Sequence, residues 1–398
     1  MSRVTKAIAG EEEQLIKHTE LICECKGAVN GDYLRIEIDG SEISRFMPDE
    51  GIHKVFAFMG IGASEIKNVR IYREMQASAL IILVKELHTD GEFYPLPKRL
   101  HKIEVVGDSV TSGEGLVGAQ CLEHWIPTVF SSRNNYAIRV AKELNADYII
   151  ISRSGYGVYC SWDNNLLCSL PRYYDLVCGT VDTPEVISLG GNELYDFSND
   201  TTDIVIINLG SNDAAAFHHN GWTDQEGILH RMKLDQNGGP LKEDIRAIED
   251  AIYNFCHKIR SLRPHCTILW CYGMLNDLLN DTIVKTTKRY SIDHSDFAIY
   301  TVELPHLDSS LNGSHFHLGP EAHRIYAQVI LEKLNEILSH HSYNVDEPVE
   351  IMVGTDGYVD VSFPEKEIAP YEHILEVAVP LVGGGKMHVT DYASAGKL

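Results

Sequence analysis

The sequence has too few basic residues to balance its acidic ones, and it has no long apolar run. Lys and Arg total 34 against 57 Asp and Glu, which gives a formal net charge of -23. Such a surface repels phosphate groups, and no basic cluster interleaved with aromatic residues offsets it. No stretch approaches the roughly 18 apolar residues of a membrane span. These absences exclude nucleic acid and membranes as partners.

Signals for export and for metal binding are also missing. The N-terminal MSRVTKAIAGEEEQLIK has no apolar signal-peptide segment, and no internal repeat or low-complexity tract follows. The nine cysteines are an odd number without C-x-x-C pairs. Cys23 and Cys25 would lie on one face of a strand, but two ligands do not make a metal site. We expect a cytoplasmic protein with reduced thiols and no metal or organic cofactor.

Residues 1–98 have the pattern of a β domain. In LRIEIDGSEI the apolar Leu34, Ile36 and Ile38 alternate with the charged Arg35 and Glu37, which predicts a strand with one solvent-exposed face. Asn-Gly and Asp-Gly pairs supply turns between the short apolar runs. We expect a β-sandwich of the jelly-roll kind, followed by the proline-containing linker FYPLPKRL.

Residues 99–342 change to an alternation of strands and helices. The apolar runs KIEVV, DYIIIS, DIVIINL, TILWCY and DFAIYTVEL are separated by segments with helical spacing. The clearest helices are EDIRAIEDAIYNFCHKIRSL and PEAHRIYAQVILEKLNEIL. This alternation predicts an α/β domain with a doubly wound, flavodoxin-like parallel sheet.

Residues 343–398 return to alternating apolar residues and predict a β-rich C-terminal extension. It could cap the protein or extend the first domain. The GGGK within it is not a phosphate-binding loop, because Met387 occupies the position that requires Ser or Thr.

Polar residues follow the predicted parallel strands where each strand ends. Ser109 follows the first strand, Gly155 the second and Asn212 the third, and His317 follows the last strand after a loop. Ligands bind at the carboxyl ends of such sheets. A serine nucleophile needs a neighbouring base, and an oxyanion needs fixed N–H donors. This set of residues therefore contains the groups that acyl transfer requires.

These blocks resemble those of the SGNH (GDSL-type) hydrolases. GDSVTSGEG, SGYGVY, NLGSND and SHFHLGPEAH occur in the order typical of that superfamily. The β domain placed before a hydrolase domain, with PLPKRLHKIEVVGDS at the junction, resembles carbohydrate esterase family two. This resemblance covers about residues 20 to 340 and leaves the C-terminal segment unexplained. The resemblance implies Ser109 as nucleophile, His317 as base, and Ser109, Gly155 and Asn212 as the oxyanion hole. Asp108 and Asp213 are interpreted as structural residues of their turns.

The histidine block departs from the superfamily pattern. Many members carry an aspartate three residues before the catalytic histidine, where this sequence has Ser314, and Leu318 replaces the proline that commonly follows. The sequence therefore predicts a Ser-His dyad, with a backbone carbonyl orienting the His317 ring. His323 is the rival base, and Pro320 places it inside the following helix.

Three aromatic residues follow the second strand of the α/β domain, and they could stack on a sugar or pack in the core. They are Tyr156, Tyr159 and Trp162. His218 and His219 are interpreted as surface loop residues.

Two further motifs suggest other functions, and we reject both. GEGLVG, from Gly113 to Gly118, matches the dinucleotide-binding fingerprint but begins seven residues beyond the end of the strand. His315, His317 and His323 suggest a metal cluster, yet no carboxylate or cysteine completes a recognisable ligand set nearby.

Together these features predict a carbohydrate O-acetyl esterase with a Ser-His acyl-enzyme mechanism. The expected substrates are acetylated plant-derived oligosaccharides, xylo- or manno- in backbone. An SGNH esterase or lipase for another acyl ester is the alternative within the fold. A non-catalytic carbohydrate-binding protein is the alternative outside catalysis.

Overall fold

The computed structural model describes residues 6–8, 16–26, 33–61, 67–76, 81–89, 92–96, 98–341, 350–353, 359–362, 374–381 and 385–392. The chain forms two compact units, Met1–Leu334 and Asn335–Leu398. The first unit contains the N-terminal strands and the α/β segment. The second contains the end of the last helix and the C-terminal strands.

The N-terminal segment forms antiparallel sheets. Its described strands are β1 (Lys6–Ile8), β2 (Ile16–Lys26), β3 (Leu34–Ile38), β4 (Ser41–Phe46), β5 (Gly51–Ile61), β6 (Val69–Arg73), β7 (Ile81–Thr89) and β8 (Glu92–Tyr94). Two three-stranded sheets have the orders β5-β2-β7 and β4-β3-β6, and β1 pairs with β8. Leu21, Cys23 and Cys25 of β2 share a hydrophobic cluster with Leu34 of β3, so the two sheets bury apolar side chains together.

The charged face of β3 is buried, and the prediction of a solvent-exposed face is wrong. Arg35 and Glu37 are each only 1% exposed. The guanidinium of Arg35 lies 3.2 Å from the Glu74 carboxylate and 4.4 Å from the ring centroid of Tyr72. Glu74 also accepts a hydrogen bond of 2.9 Å from Ser132 of the α/β segment. The alternating charges therefore mark a polar network that is paired inside the protein and reaches the α/β segment.

The α/β segment is built on a parallel sheet, as predicted. Its strands are β9 (His101–Gly107), β10 (Ala146–Ser152), β11 (Ile204–Asn208), β14 (Thr267–Tyr272) and β15 (Ile299–Glu303), and the short strands β12 (Trp222–Thr223) and β13 (Leu229–His230) form a separate pair. The parallel sheet has the order β10-β9-β11-β14-β15. This is the flavodoxin-like order, in which the strand sequence reverses beside the first strand.

Helices connect the parallel strands. They are α1 (Ser109–Ser112), α2 (Tyr136–Glu143), α3 (Pro184–Ser188), α4 (Ser211–Ala216), α5 (Lys242–Leu262), α6 (Asn280–His294) and α7 (Pro320–His341). Val106 and Ile207 share a cluster with the apolar stripe of α5, including Phe255. Val105 and Ile206 point to the opposite face and are also fully buried. Both faces of the central strands are therefore covered. No described helix combines the length and the apolar character that a membrane crossing requires.

The C-terminal segment contains two strand pairs. They are β16 (Glu350–Val353) with β17 (Val359–Ser362), and β18 (Ile374–Leu381) with β19 (Gly385–Tyr392). Both pairs are antiparallel. The described part of this segment is therefore made of β-strands.

A buried ionic network holds β9, an interior strand of the parallel sheet. Glu104 of β9 is 1% exposed, and its carboxylate lies 2.6 Å from Nη2 of Arg263. The same nitrogen lies 2.7 Å from the carboxylate of Asp200, and Tyr174 donates a hydrogen bond to Glu104. Burial raises the pKa of Glu104, and the charge of Arg263 opposes that shift. Arg263 therefore allows an acidic residue to be buried in the strand that leads to Ser109.

We predict that Arg263→Met destabilises the protein by about 3–5 kcal/mol, because it leaves Glu104 buried without its partner. Urea unfolding at neutral pH measures the change. Lys285→Met is the matched control, since its pair with Asp281 is exposed and is worth about 0.5 kcal/mol or less. Equal destabilisation by the two variants would contradict the structural role of the network.

Candidate active site

The turn after β9 places Ser109 at the start of α1. Asp108 is fully buried, and its carboxylate accepts a hydrogen bond of 3.0 Å from the Val110 N–H, which caps the short helix. Burial raises the pKa of Asp108 to about 7. The predicted structural role of Asp108 in this turn matches its contacts.

His317 faces Ser109 across the carboxyl end of the sheet. Its Nε2 lies 2.8 Å from Oγ of Ser109, and its Nδ1 lies 2.6 Å from the carbonyl oxygen of His315. A carbonyl oxygen only accepts hydrogen bonds, so Nδ1 carries the proton and Nε2 is free to accept one. The structure therefore brings the predicted dyad together, with the ring oriented by a backbone carbonyl.

The loop before α7 sets the position of His317. His315 and Phe316 have left-handed backbone conformations, with φ of 50° and 58°. Ser314 is fully buried, and its hydroxyl donates a hydrogen bond of 2.7 Å to the carbonyl of Val117. The side chain at the position of the missing aspartate therefore fixes the loop and does not orient the His317 ring.

Glu114 is a site residue that the sequence analysis missed. Its side chain is 2% exposed, and Oε1 lies 2.6 Å from Nδ1 of His315 and 3.8 Å from Nδ1 of His317. Its other oxygen, Oε2, accepts a hydrogen bond of 2.6 Å from the Ser154 hydroxyl. The only available signal was an acidic residue between two glycines of a motif interpreted as accidental.

The glycines around Glu114 have a steric role. Gly115 has a φ of 83°, and a Cβ there would lie 2.6 Å from Cβ of His317 and 2.8 Å from the Ser314 carbonyl oxygen. Gly113 ends α1 in a left-handed conformation. A dinucleotide-binding fingerprint would begin a helix here. The motif instead lets the turn after Ser109 pack against the histidine loop.

Gly155 and Asn212 lie beside the same turn. The Asn212 amide nitrogen donates a hydrogen bond of 3.0 Å to the carbonyl of Tyr156 and lies 3.4 Å from Oδ2 of Asp108. Asn212 therefore links the residue after Gly155 to the residue before Ser109. Among the described residues, the N–H groups of Ser109 and Gly155 donate no hydrogen bond to a protein acceptor. Both are free to bind a ligand oxygen.

Asp213 holds the loop that follows Gly155. Its buried carboxylate accepts hydrogen bonds from the backbone N–H groups of Val158, Tyr159 and Cys160, at 2.8, 2.7 and 3.0 Å. The Asp213 carboxylate thus satisfies three backbone N–H groups that have no β-sheet partner in this irregular segment. These contacts are those of a structural residue.

The three predicted aromatic residues have different surroundings. Trp162 is 45% exposed, and its indole lies against Gly155, where a Cβ would be 3.2 Å from the ring. Its ring is 4.8 Å from that of the exposed His219. Tyr156 and Tyr159 are half-buried and pack against the α/β core. Trp162 is the one of the three that presents its ring to solvent beside the site.

The N-terminal segment also reaches the site through Gln76. The side-chain oxygen of Gln76 accepts hydrogen bonds from the Ser154 N–H at 2.6 Å and from the Ser112 hydroxyl at 3.0 Å. It thereby fixes the residue before Gly155 and the last residue of α1. Nothing in the sequence indicated this contact.

His323, the rival base, is fully buried in α7. Its Nδ1 accepts a hydrogen bond of 3.1 Å from the Tyr136 N–H. Burial lowers the pKa of His323 to about 3. The imidazole is therefore neutral and engaged away from Ser109.

The structure places a carboxylate, that of Glu114, beside His315 and His317, which corrects the expectation that no acidic residue completes a ligand set near these histidines. Donor atoms of Glu114, His315 and His317 lie within 4.8 Å of one another. Hydrogen bonds already engage these atoms, from His315 to Glu114 and from His317 to the His315 carbonyl. The group is therefore a hydrogen-bonded cluster in this structure, and it does not include His323.

Solved structures similar to this chain include an acetyl xylan esterase from the rumen bacterium Butyrivibrio proteoclasticus. The TM-score is 0.79 and the sequence identity 32%, over 85% of this chain and 96% of that one. A family two carbohydrate esterase from Clostridium thermocellum, solved in complex with cellohexaose, has a TM-score of 0.66 and 19% identity, over 85% and 92% of the two chains. At that identity the second match supports the fold alone.

Curated relatives include the cellulase/esterase CelE of Acetivibrio thermocellus, 25% identical over 250 residues. That match covers 62% of this chain and 27% of CelE. An acetylxylan esterase / glucomannan deacetylase of Cellvibrio japonicus is 25% identical over 206 residues, which cover 50% of this chain and 54% of that protein. This chain thus spans about a quarter to about a half of these relatives. No family model matches the sequence.

We predict that Gly115→Ala slows the labelling of Ser109 by a fluorophosphonate at least about 10-fold, because the new methyl group displaces His317. Mass spectrometry of the labelled protein measures the rate. Gly238→Ala is the matched control, since Gly238 has a φ of 81° but nothing within 4 Å of the added Cβ. If Gly115→Ala labels as fast as Gly238→Ala, the close approach of Gly115 to His317 does not control the reactivity of Ser109.

We predict that His323→Asn makes the stability of the protein less sensitive to acid. The folded-state pKa of His323 is lowered from 6.5 to about 3, so wild type loses stability as pH falls through that range, by up to about 5 kcal/mol. Asparagine accepts the same hydrogen bond from Tyr136 and does not titrate there. Urea unfolding at both ends of the range measures the slope, and equal slopes for wild type and variant would refute the assignment.

Proposed function

This chain belongs to carbohydrate esterase family two, and from that premise we propose that it removes O-acetyl groups from plant-derived oligosaccharides. The observation that carries the proposal is the 2.8 Å contact between Oγ of Ser109 and Nε2 of His317. A serine activated by a neighbouring histidine is the requirement for acyl transfer. The names of the acetyl xylan esterase and the glucomannan deacetylase among its relatives support acetylated carbohydrate as the substrate class.

His317 acts as base and then as acid in the proposed reaction. Nε2 takes the proton of Ser109 as Oγ attacks the acetyl carbonyl. Meanwhile Nδ1–H keeps its hydrogen bond to the His315 carbonyl. The tetrahedral intermediate collapses when His317 protonates the departing sugar oxygen. Water, deprotonated by the same nitrogen, then attacks the acetyl-enzyme and releases acetate.

The oxyanion is stabilised by three donors in this proposal. The N–H groups of Ser109 and Gly155 are available without rearrangement. The Asn212 amide hydrogen that faces Asp108 is weakly held, since that contact is 3.4 Å long. Rotation of the Asn212 side chain directs this hydrogen toward the developing negative charge. Loss of one oxyanion-hole donor typically costs about 10²- to 10³-fold in kcat.

The sugar binds beside Gly155 in this proposal. The exposed ring of Trp162 offers an apolar face next to the proposed oxyanion hole, and aromatic faces suit the apolar faces of sugar rings. An acetylated neutral oligosaccharide carries no charge, so the strongly acidic chain does not repel it. The xylo- and manno-backbones are both compatible with these features.

We also propose that the N-terminal antiparallel sheets form a jelly-roll sandwich. The hydrophobic cluster shared by β2 and β3 supports two sheets packed face to face. Through Gln76 this sandwich would contribute directly to the geometry of the site.

The test is acetate release from an aryl acetate and from acetylated xylo- and manno-oligosaccharides. We expect Ser109→Ala and His317→Ala to lose at least about 10³-fold in kcat. His323→Asn serves as the control and retains activity, because it removes only a buried imidazole that does not face Ser109. The faster oligosaccharide identifies the backbone.

Two results would overturn the proposal. If wild type releases no acetate from any substrate but still binds the oligosaccharides, the chain is a binding protein. Alternatively, His317→Ala stays active while His323→Asn is inactive, which would transfer the role of base to His323.

A further inference from the structure

The acid that the histidine lacks in its own loop is present in the turn after Ser109. The side chains of Glu114 and His317 are 2% and 18% exposed, and the Glu114 carboxylate lies 3.8 Å from Nδ1 of His317. That distance is an ion-pair distance and exceeds a hydrogen bond. The neutral carbonyl of His315 takes the hydrogen bond, so orientation and charge come from two different groups.

We propose that Glu114 is a positioning residue that supplies the negative charge stabilising protonated His317 during catalysis. The inference rests on the proposed esterase function and adds a residue to it. Glu114 takes up no proton in this scheme. The Ser109 proton moves to Nε2 of His317, and Nδ1–H remains hydrogen-bonded to the His315 carbonyl. Glu114 acts through the electrostatic attraction between its carboxylate and the imidazolium of His317.

Glu114 is held in place from two sides. His315 Nδ1 donates to one carboxylate oxygen, and the Ser154 hydroxyl donates to the other, both at 2.6 Å. The Ser154 N–H is itself bound by Gln76. A buried carboxylate with fixed donors costs no reorganisation when the imidazolium forms, which is the condition for electrostatic catalysis.

The other titratable groups around His317 do not supply this charge. The ring of His315 stacks on that of His317 at 5.4 Å and 7°, and a positive charge there would oppose imidazolium formation. His323 is neutral and buried. Burial raises the pKa of Asp108, the hydrogen bond from the Val110 N–H opposes that shift, and the charge of Glu114 adds to it. Glu114 is therefore the acid with both the position and the charge to favour protonated His317.

The experiment is the pH dependence of kcat and KM for an aryl acetate with Glu114→Gln. Glutamine keeps both hydrogen bonds, since its oxygen accepts from His315 and its amide donates to Ser154. We expect kcat to fall about 10-fold or more with little change in KM. Protonated His317 loses its stabilising charge, so the acid limb of kcat/KM moves to lower pH.

Two variants complete the test. Glu123→Gln, at an exposed glutamate further along the same loop, is the control and should match wild type. Glu114→Asp keeps the charge, so it should leave the acid limb near the wild-type position even if kcat falls. If Glu114→Asp and Glu114→Gln shift the limb equally, or if neither shifts it, the role is steric and the proposal is wrong.

The rate of fluorophosphonate labelling of Ser109 separates this inference from the proposed function. If wild type cleaves no acetate ester but its labelling has a pH limb that moves in Glu114→Gln, the function fails and the role of Glu114 stands. If wild type is an esterase and the limb is unmoved in both assays, only the role of Glu114 fails. A loss of wild-type activity on adding a chelator would assign the cluster to a metal and overturn the proposal.

Discussion

The close packing of the turn after β9 against the loop before α7 is the constraint on which the site depends. These loops are about 200 residues apart in the chain, and Gly115 is the point where their backbones meet. A side chain there would push His317 away from Ser109. The parallel sheet brings the two loops to one end, but only the missing Cβ allows the final approach. Backbone sterics and hydrogen bonding together therefore determine whether the serine has a base.

Much of this arrangement was predictable from the sequence because it follows from periodicity and strand order. The five parallel strands were apparent as apolar runs, and residues at their carboxyl ends had to converge. Ser109 and His317 were accordingly found in contact. The carbonyl that orients the ring was also foreseen, because no side-chain acid was available three residues before His317. The structure supplied the distances and the tautomer.

The contacts that escaped prediction are those between segments with no shared periodicity. Glu114 lies in a glycine-rich turn, and only the tertiary fold shows that its carboxylate is buried beside two histidines. Gln76 belongs to an N-terminal strand region and meets Ser154 through packing alone. Arg35 and Glu37 alternated with apolar residues as solvent-exposed residues do, yet they are buried and paired. Alternation in the sequence shows which face of a strand is polar. A polar face can contact either water or a buried ionic network, and the alternation is the same in both cases.

The contact of Gln76 with Ser154 and Ser112 changes how the two parts of this unit can be exchanged in evolution. An accessory domain that only binds a ligand can be joined to many different proteins by recombination. Here the N-terminal part provides a hydrogen-bond acceptor that the α/β part uses in its own site. Recombination at the linker between the two parts would therefore separate Gln76 from the site geometry that it maintains.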